Sequence, residues 1–161
     1  MDRWIFQRSA LMGVIEQMFL GHYDHGIDEK GRLTIPARFR ELLLAEGAYI
    51  TLGFDGNLIV LTKAHFERLS EGVKNMTMTN PAARSLSRLI FSNADLLEID
   101  KLGRILIPQF LRQSAGLGTN AIIAGVGDYF EIWSQAAWAK QADMLHDPEV
   151  TAQRFAALDL S

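Results

Sequence analysis

Two segments of the chain carry the same chemistry at the same spacing. Asp28 stands four residues before Arg32 across Gly31, and Asp100 stands four before Arg104 across Gly103. Within a Gly-containing turn this spacing lets carboxylate and guanidinium meet. The acid then orients a planar fork of donors whose remaining N–H groups suit a phosphate or a guanine edge. Arginine is the reader and aspartate its holder, since a carboxylate and a phosphate repel. Lys30, Arg32, Arg38 and Arg40 are set against Asp28 and Glu29 over residues 28–40, and Lys101, Arg104 and Arg112 against Asp100 in the second segment. Both segments are locally basic. The candidate DNA-binding residues are therefore Asp28, Lys30, Arg32, Arg38, Asp100, Lys101 and Arg104. Arg40 and Arg112 fall within short helices, where a structural role over the core or beside Glu41 competes with a contact role.

One such turn alone would be read blandly: Asp caps it, Gly supplies its positive φ, and Arg adds a surface ion pair of small worth. Repetition changes the weighing. A shift of 72 positions without a gap aligns Phe19 with Phe91, Ile27 with Ile99, Asp28 with Asp100, Gly31 with Gly103 and Arg32 with Arg104. It continues through Ile35 with Ile107, Pro36 with Pro108, Arg40 with Arg112, Ile50 with Ile122 and Gly53 with Gly125. A duplicated core needs its Ile and Pro, but packing gives no reason to keep an exposed Asp–Arg pair twice.

The elements that position these pairs read alike in both copies. An alternating stretch to Asp28, a turn at Gly31 and a return through Ile35 make a hairpin, after which Pro36 opens a short helix over residues 37–45 that Gly47 ends. Residues 49–52 and 58–61 flank Asp55-Gly56-Asn57 as a second hairpin, and Thr62 caps a helix to about residue 73. The second copy repeats this as 97–100, 104–107, 108–115, 121–124, 130–133 and a helix from Ser134. Asn80-Pro81 starts a helical connector. The expected division is an N-terminal extension at 1–17, a first repeat at 18–75, a connector at 76–90, a second repeat at 91–140 and a tail at 141–161, of which 147–161 is either a last helix or a frayed end. A repeat of this size leaves too much apolar surface wet to stand alone, so the two copies must share one core. The expected fold is mainly β with short helices, strands of both halves building one barrel-like sheet about an intrachain pseudo-twofold.

At residues 27–36, Ile-Asp-Glu-Lys-Gly-Arg-Leu-Thr-Ile-Pro, and at 98–108, Glu-Ile-Asp-Lys-Leu-Gly-Arg-Ile-Leu-Ile-Pro, the chain resembles the MraZ family of bacterial transcriptional regulators. The resemblance runs from residue 18 to about 140 and takes in Asp55-Gly56-Asn57-Leu58 and Phe130-Glu131-Ile132-Trp133. It implies two swapped-hairpin domains of the AbrB type within one chain, forming a duplicated AbrB-like β-barrel. It also implies a ring-shaped homo-oligomer and binding of double-stranded DNA at repeated elements upstream of a cell-division and cell-wall gene cluster. Family members usually begin at the equivalent of Met18, which makes residues 1–17 a departure, either a misassigned start or a true extra helix.

Composition removes most rivals. The chain has 161 residues, 48% of them hydrophobic, a formal charge of -3 and no cysteine. Disulfides, thiolate nucleophiles and Cys-based zinc sites are excluded. A nonspecific polycation is disfavoured. No apolar run approaches the roughly 20 residues of a membrane span. The expected location is the cytoplasm, in association with the nucleoid, with no cofactor, metal or membrane partner. His22, Asp24, His25 and Asp28 form the cluster most like a metal or acid–base site, but in a strand His25 points away from His22 and Asp24, and the second copy offers Ala94, Asp95 and Leu97. No enzyme is expected. A pure assembly module or antitoxin-like binder is the remaining alternative, which the duplication and the lack of a disordered tail weigh against.

Overall fold

In the computed structural model the described residues are 13–159. The expected N-terminal extension therefore lies outside them except for 13–17, where a 3-10 turn spans Ile15–Gln17. The first half supplies β1 (His22–Gly26), β2 (Arg32–Thr34), α1 (Ala37–Glu46), β3 (Ala48–Leu52), β4 (Leu58–Thr62), α2 (Lys63–Lys74) and α3 (Pro81–Phe91). The second supplies β5 (Asp95–Leu97), β6 (Arg104–Leu106), α4 (Gln109–Ser114), β7 (Asn120–Gly125), β8 (Tyr129–Trp133), α5 (Gln135–Leu145) and α6 (Pro148–Phe155). Local chemistry explains the helix starts. The side chains of Thr62, Asn80, Ser134 and Asp147 each accept a backbone N–H at the start of α2, α3, α5 and α6, the usual N-cap arrangement. Pro36 and Pro108 stand at the N-cap positions of α1 and α4, one residue earlier than the first helical position. In the tail, Pro148–Phe155 forms a helix.

The strands pair antiparallel and across the halves. A six-stranded sheet runs β1-β7-β8-β4-β3-β5, and β2 pairs with β6 in a separate two-stranded ribbon. Each first-half pairing has a counterpart with the halves exchanged: β1 lies on β7 as β5 lies on β3, while β4–β8 and β2–β6 each join a strand to its own repeat. The architecture is thus mixed, antiparallel sheet with short helices. Among the described residues the pairings make an open sheet and a ribbon rather than one closed ring of strands.

One continuous core joins both halves. Leu33, Ile35, Phe39, Leu43, Ile50 and Leu58 from the first meet Ile105, Ile107, Leu111, Ile123, Phe130 and Ile132 from the second, all at most 1% exposed. Phe19, Phe39 and Phe130 make its aromatic centre, with ring centroids 5.1 to 5.2 Å apart. A smaller cluster of Ile122, Ala124 and Trp133 packs under Ala137 and Trp138 of α5.

The repeat is not gapless in three dimensions. Ile50 pairs with Val60 and Asp95, and the residue with the equivalent partners, Ile132 and Tyr23, is Ile123. Ile122 instead matches Tyr49, so β7 is one residue further along than the 72-residue shift predicts. The loop after α4 is longer and the β7–β8 turn is shorter, which restores the register by β8. The physical reason is the two-residue period of a strand: a one-residue slip would turn Ile122 inward in place of Ile123.

Gly125 lies where another segment crosses closely. A Cβ there would come within 2.5 Å of the Phe19 carbonyl carbon and 2.6 Å of the Leu20 nitrogen, both backbone atoms, whereas one at Gly118 would meet nothing within 4 Å. Gly125→Ala is expected to cost about 1–3 kcal/mol in urea unfolding, and Gly118→Ala to stay within about 0.5 kcal/mol of the parent. Equal effects would contradict the packing described.

Candidate functional site

The two Asp–Arg turns sit at the start of β2 and β6 and are built alike. Asp28 Oδ1 accepts the backbone N–H of Lys30 (3.0 Å) and of Arg32 (2.9 Å), and Oδ2 accepts Arg32 Nε at 2.6 Å. Asp100 Oδ1 accepts from Leu102 (3.0 Å) and Arg104 (2.9 Å), and Oδ2 accepts Arg104 Nε at 2.8 Å. Gly31 and Gly103 close the turns at φ 84 and 77, a left-handed conformation that a side chain would strain. One carboxylate thus shapes the turn with one oxygen and aims the guanidinium with the other.

The ribbon brings the two turns together. β2 and β6 pair Arg32 with Leu106, Leu33 with Ile105 and Thr34 with Arg104. Leu33 and Ile105 are fully buried, so alternation puts Arg32, Thr34, Arg104 and Leu106 on the opposite, outer face. Arg104 Nη1 lies 3.6 Å from Asp28 Oδ2, linking one half's reader to the other half's acid. The side chains of Asp28, Arg32, Asp100 and Arg104 remain 23–37% exposed. Pairs that wet contribute too little for stability to explain two of them.

The remaining candidates are less uniform. Lys30 and Lys101 both occupy exposed turns, but Lys30 aligns with Leu102 and Lys101 with Glu29. Arg38 is exposed on α1 and its Nη2 donates to the Ile15 carbonyl (3.3 Å), away from the Asp–Arg pairs, while its counterpart is Phe110. The residues that sequence reasoning underrated are Arg40 and Arg112. Each crosses to the opposite half: the Arg40 guanidinium fills the space beside Gly103, and that of Arg112 fills the space beside Gly31. No ion pair joins Arg40 to Glu41 among the described residues. The Nε of both arginines is buried without a hydrogen-bond partner, a cost of about 1–3 kcal/mol apiece by ordinary desolvation. Only their 72-residue spacing signalled them.

The histidine cluster does not assemble. Asp24 accepts from Asn120 and Gln135 (2.9 Å each), and His22 lies on Trp138 with centroids 5.5 Å apart. Among the described residues no group of acidic and histidine side chains is arranged to hold a metal ion. Elsewhere Glu131 is half-buried, accepting from Asn57 (2.8 Å) and Trp133 (3.2 Å), and burial pushes its carboxyl up against the pull of those donors.

Both turn carboxylates are held below the usual range. The Arg32 backbone N–H does most of this at Asp28, and the Arg104 backbone N–H at Asp100; partial burial opposes, and the paired side chains add to the lowering. A folded value below that of the unfolded chain means stability present above about pH 3.9 and lost as pH falls through the lowered folded values. Carbon-13 titration is expected to put both carboxyl midpoints below about 3.9, with the unfolding temperature dropping only as that region is entered. Midpoints at or above it would contradict this geometry.

A family model described as "MraZ protein, putative antitoxin-like" matches residues 18–89 and again 90–160. Proteins named transcriptional regulator MraZ are similar over most of the chain. The one from Thermomicrobium roseum is 45% identical over 143 residues, 88% of this chain and 99% of its own. That from Roseiflexus castenholzii is 44% identical over 142 residues, with the same shares. That from Heliobacterium modesticaldum is 46% identical over 123 residues, 76% of this chain and 85% of its own. With two family matches that together span residues 18–160, and the twin Asp–Arg turns one in each, the chain belongs to the MraZ family.

Proposed function

We propose that the chain is a transcriptional regulator that binds double-stranded DNA sequence-specifically, at repeated elements upstream of a cell-division and cell-wall gene cluster. The names its relatives carry support the regulatory part. One observation carries the DNA-contacting part: Arg32 and Arg104, each with Nε bound to its own aspartate, lie together on the outer face of one ribbon. Arg32 and Arg104 read base edges or phosphates, Asp28 and Asp100 hold them, and Lys30, Lys101 and Arg38 add phosphate contacts. The depressed carboxyls suit holding a cation and not proton donation, which favours binding over catalysis.

The exchange of strands between halves supports reading the repeats as swapped-hairpin AbrB-type units, at residues 18–75 and 91–140, folded about one pseudo-twofold. A single ribbon offers few contacts, so affinity for one element is weak. A ring-shaped homo-oligomer presenting many ribbons to spaced elements raises it through effective concentration. Such a protein works in the cytoplasm at the nucleoid, without a cofactor; no helix among the described residues is long and apolar enough to cross a membrane.

The test is a gel-shift and salt titration on the DNA upstream of the chain's own gene. Arg32→Ala and Arg104→Ala are each expected to weaken binding by about 1–3 kcal/mol, and to flatten the dependence of log affinity on log salt by about one unit for each phosphate left without its arginine. Unchanged affinity and slope in both variants would refute the assignment and return the chain to the class of assembly modules.

A further inference from the structure

We infer that Arg40 and Arg112 are positioning residues acting in trans, each setting the Asp–Arg turn of the opposite repeat; the inference rests on the DNA-binding reading of those turns. Arg40 belongs to α1 of the first half, yet its guanidinium lies against Gly103, one residue before Arg104. A Cβ at Gly103 would come within 2.5 Å of Arg40 Cδ and 2.6 Å of its Cζ. At the mirror position a Cβ on Gly31 would fall 2.5 Å from Arg112 Cζ and 2.6 Å from its Nη1.

Backbone contacts run in the same sense. Ile35, just ahead of α1, donates its N–H to the Gly103 carbonyl at 2.9 Å, and Ile107, just ahead of α4, donates to the Gly31 carbonyl at 3.0 Å. Each turn is therefore gripped by the other half twice, by a strand-end amide and by the arginine of the helix that follows. The turn's own hydrogen bonds carry the constraint to the reader. Asp100 Oδ1 holds the Leu102 and Arg104 amides on either side of Gly103, and its other oxygen holds Arg104 Nε. Displacing the peptide at Gly103 thus displaces the guanidinium of Arg104.

Charge type supports a positioning role over simple packing. An apolar side chain of similar length would cover the glycine without leaving a buried, unpartnered Nε, and both copies leave one. The guanidinium also adds positive charge behind the turn. Arg32 therefore depends on Arg112, and Arg104 on Arg40. Each reader is thus supported across the ribbon by the opposite repeat rather than by its own.

The experiment is a set of double-mutant cycles on the full chain, read by binding to a duplex of its own upstream DNA, with nitrogen-15 spectra of the arginine Nε–H groups of the free protein as the second readout. Arg40→Met keeps the aliphatic stem over the turn and removes the fork. It is expected to weaken binding about tenfold in the parent and in the Arg32→Ala background, but less than twofold when Arg104 is already alanine. Arg112→Met should show the reverse dependence. In the free protein Arg40→Met should shift the Arg104 Nε–H resonance and leave that of Arg32 in place, and Arg40→Lys should restore neither the Arg104 resonance nor the affinity. Coupling of Arg40 to Arg32, or losses that simply add in both backgrounds, would overturn the trans assignment. If Arg32→Ala and Arg104→Ala do not affect DNA binding, the DNA-binding reading falls; the spectra then decide the positioning claim alone, an unmoved Arg104 resonance rejecting it.

Discussion

The pairing of β2 with β6 is the constraint on which the rest depends. A three-residue strand is too short to stand by itself, and each of these finds its partner in the other half of the chain. The ribbon's inner side chains, Leu33 and Ile105, lie in the shared core and are fully buried, so its outer side is fixed in turn. Two amides at the strand ends, those of Ile35 and Ile107, close on the carbonyls of Gly103 and Gly31 and extend the pairing to both turns. Everything proposed for the arginines follows from that reciprocity: neither turn has a complete set of supports until both repeats are folded together.

Energetics separate what holds the fold from what the fold presents. The exposed ion pairs of Asp28 with Arg32 and Asp100 with Arg104 are worth little as stabilisation, while each large core side chain contributes about 1.5–3 kcal/mol on burial. Retaining Arg40 and Arg112 with buried, unpartnered Nε groups costs stability outright. Stability alone therefore accounts for the apolar repeat of Leu33, Ile35 and Phe39 with Ile105, Ile107 and Leu111, but not for the charged residues between them.

Much of this was legible in the sequence, for identifiable reasons. Asp-x-x-x-Arg across glycine dictates a local turn, so the bonds within each turn could be read from spacing, and so could the helix caps at Thr62, Asn80 and Ser134. The one-residue slip at β7 could not: Ile122 and Ile123 are chemically the same, and strand partners alone decide which faces the core. Phe19 and Phe91 align in sequence, yet Phe19 is 1% exposed in the aromatic centre and Phe91 is 37% exposed at the end of α3. The reach of Arg40 to Gly103 was invisible because residues far apart along the chain meet through the exchange of strands between halves, and residue spacing reports only local geometry. Nor does spacing report that Arg38, exposed on α1, donates to the Ile15 carbonyl, a contact between residues 23 positions apart.

The most direct test of the central claim is to follow every arginine Nε–H resonance while the full chain is titrated with its own upstream duplex. The account predicts that Arg32 and Arg104 move together, at the same DNA ratio, while Arg68 of α2 and Arg84 and Arg88 of α3 stay where they are. Movement confined to the arginines of α2 and α3, with the ribbon pair silent, would contradict it.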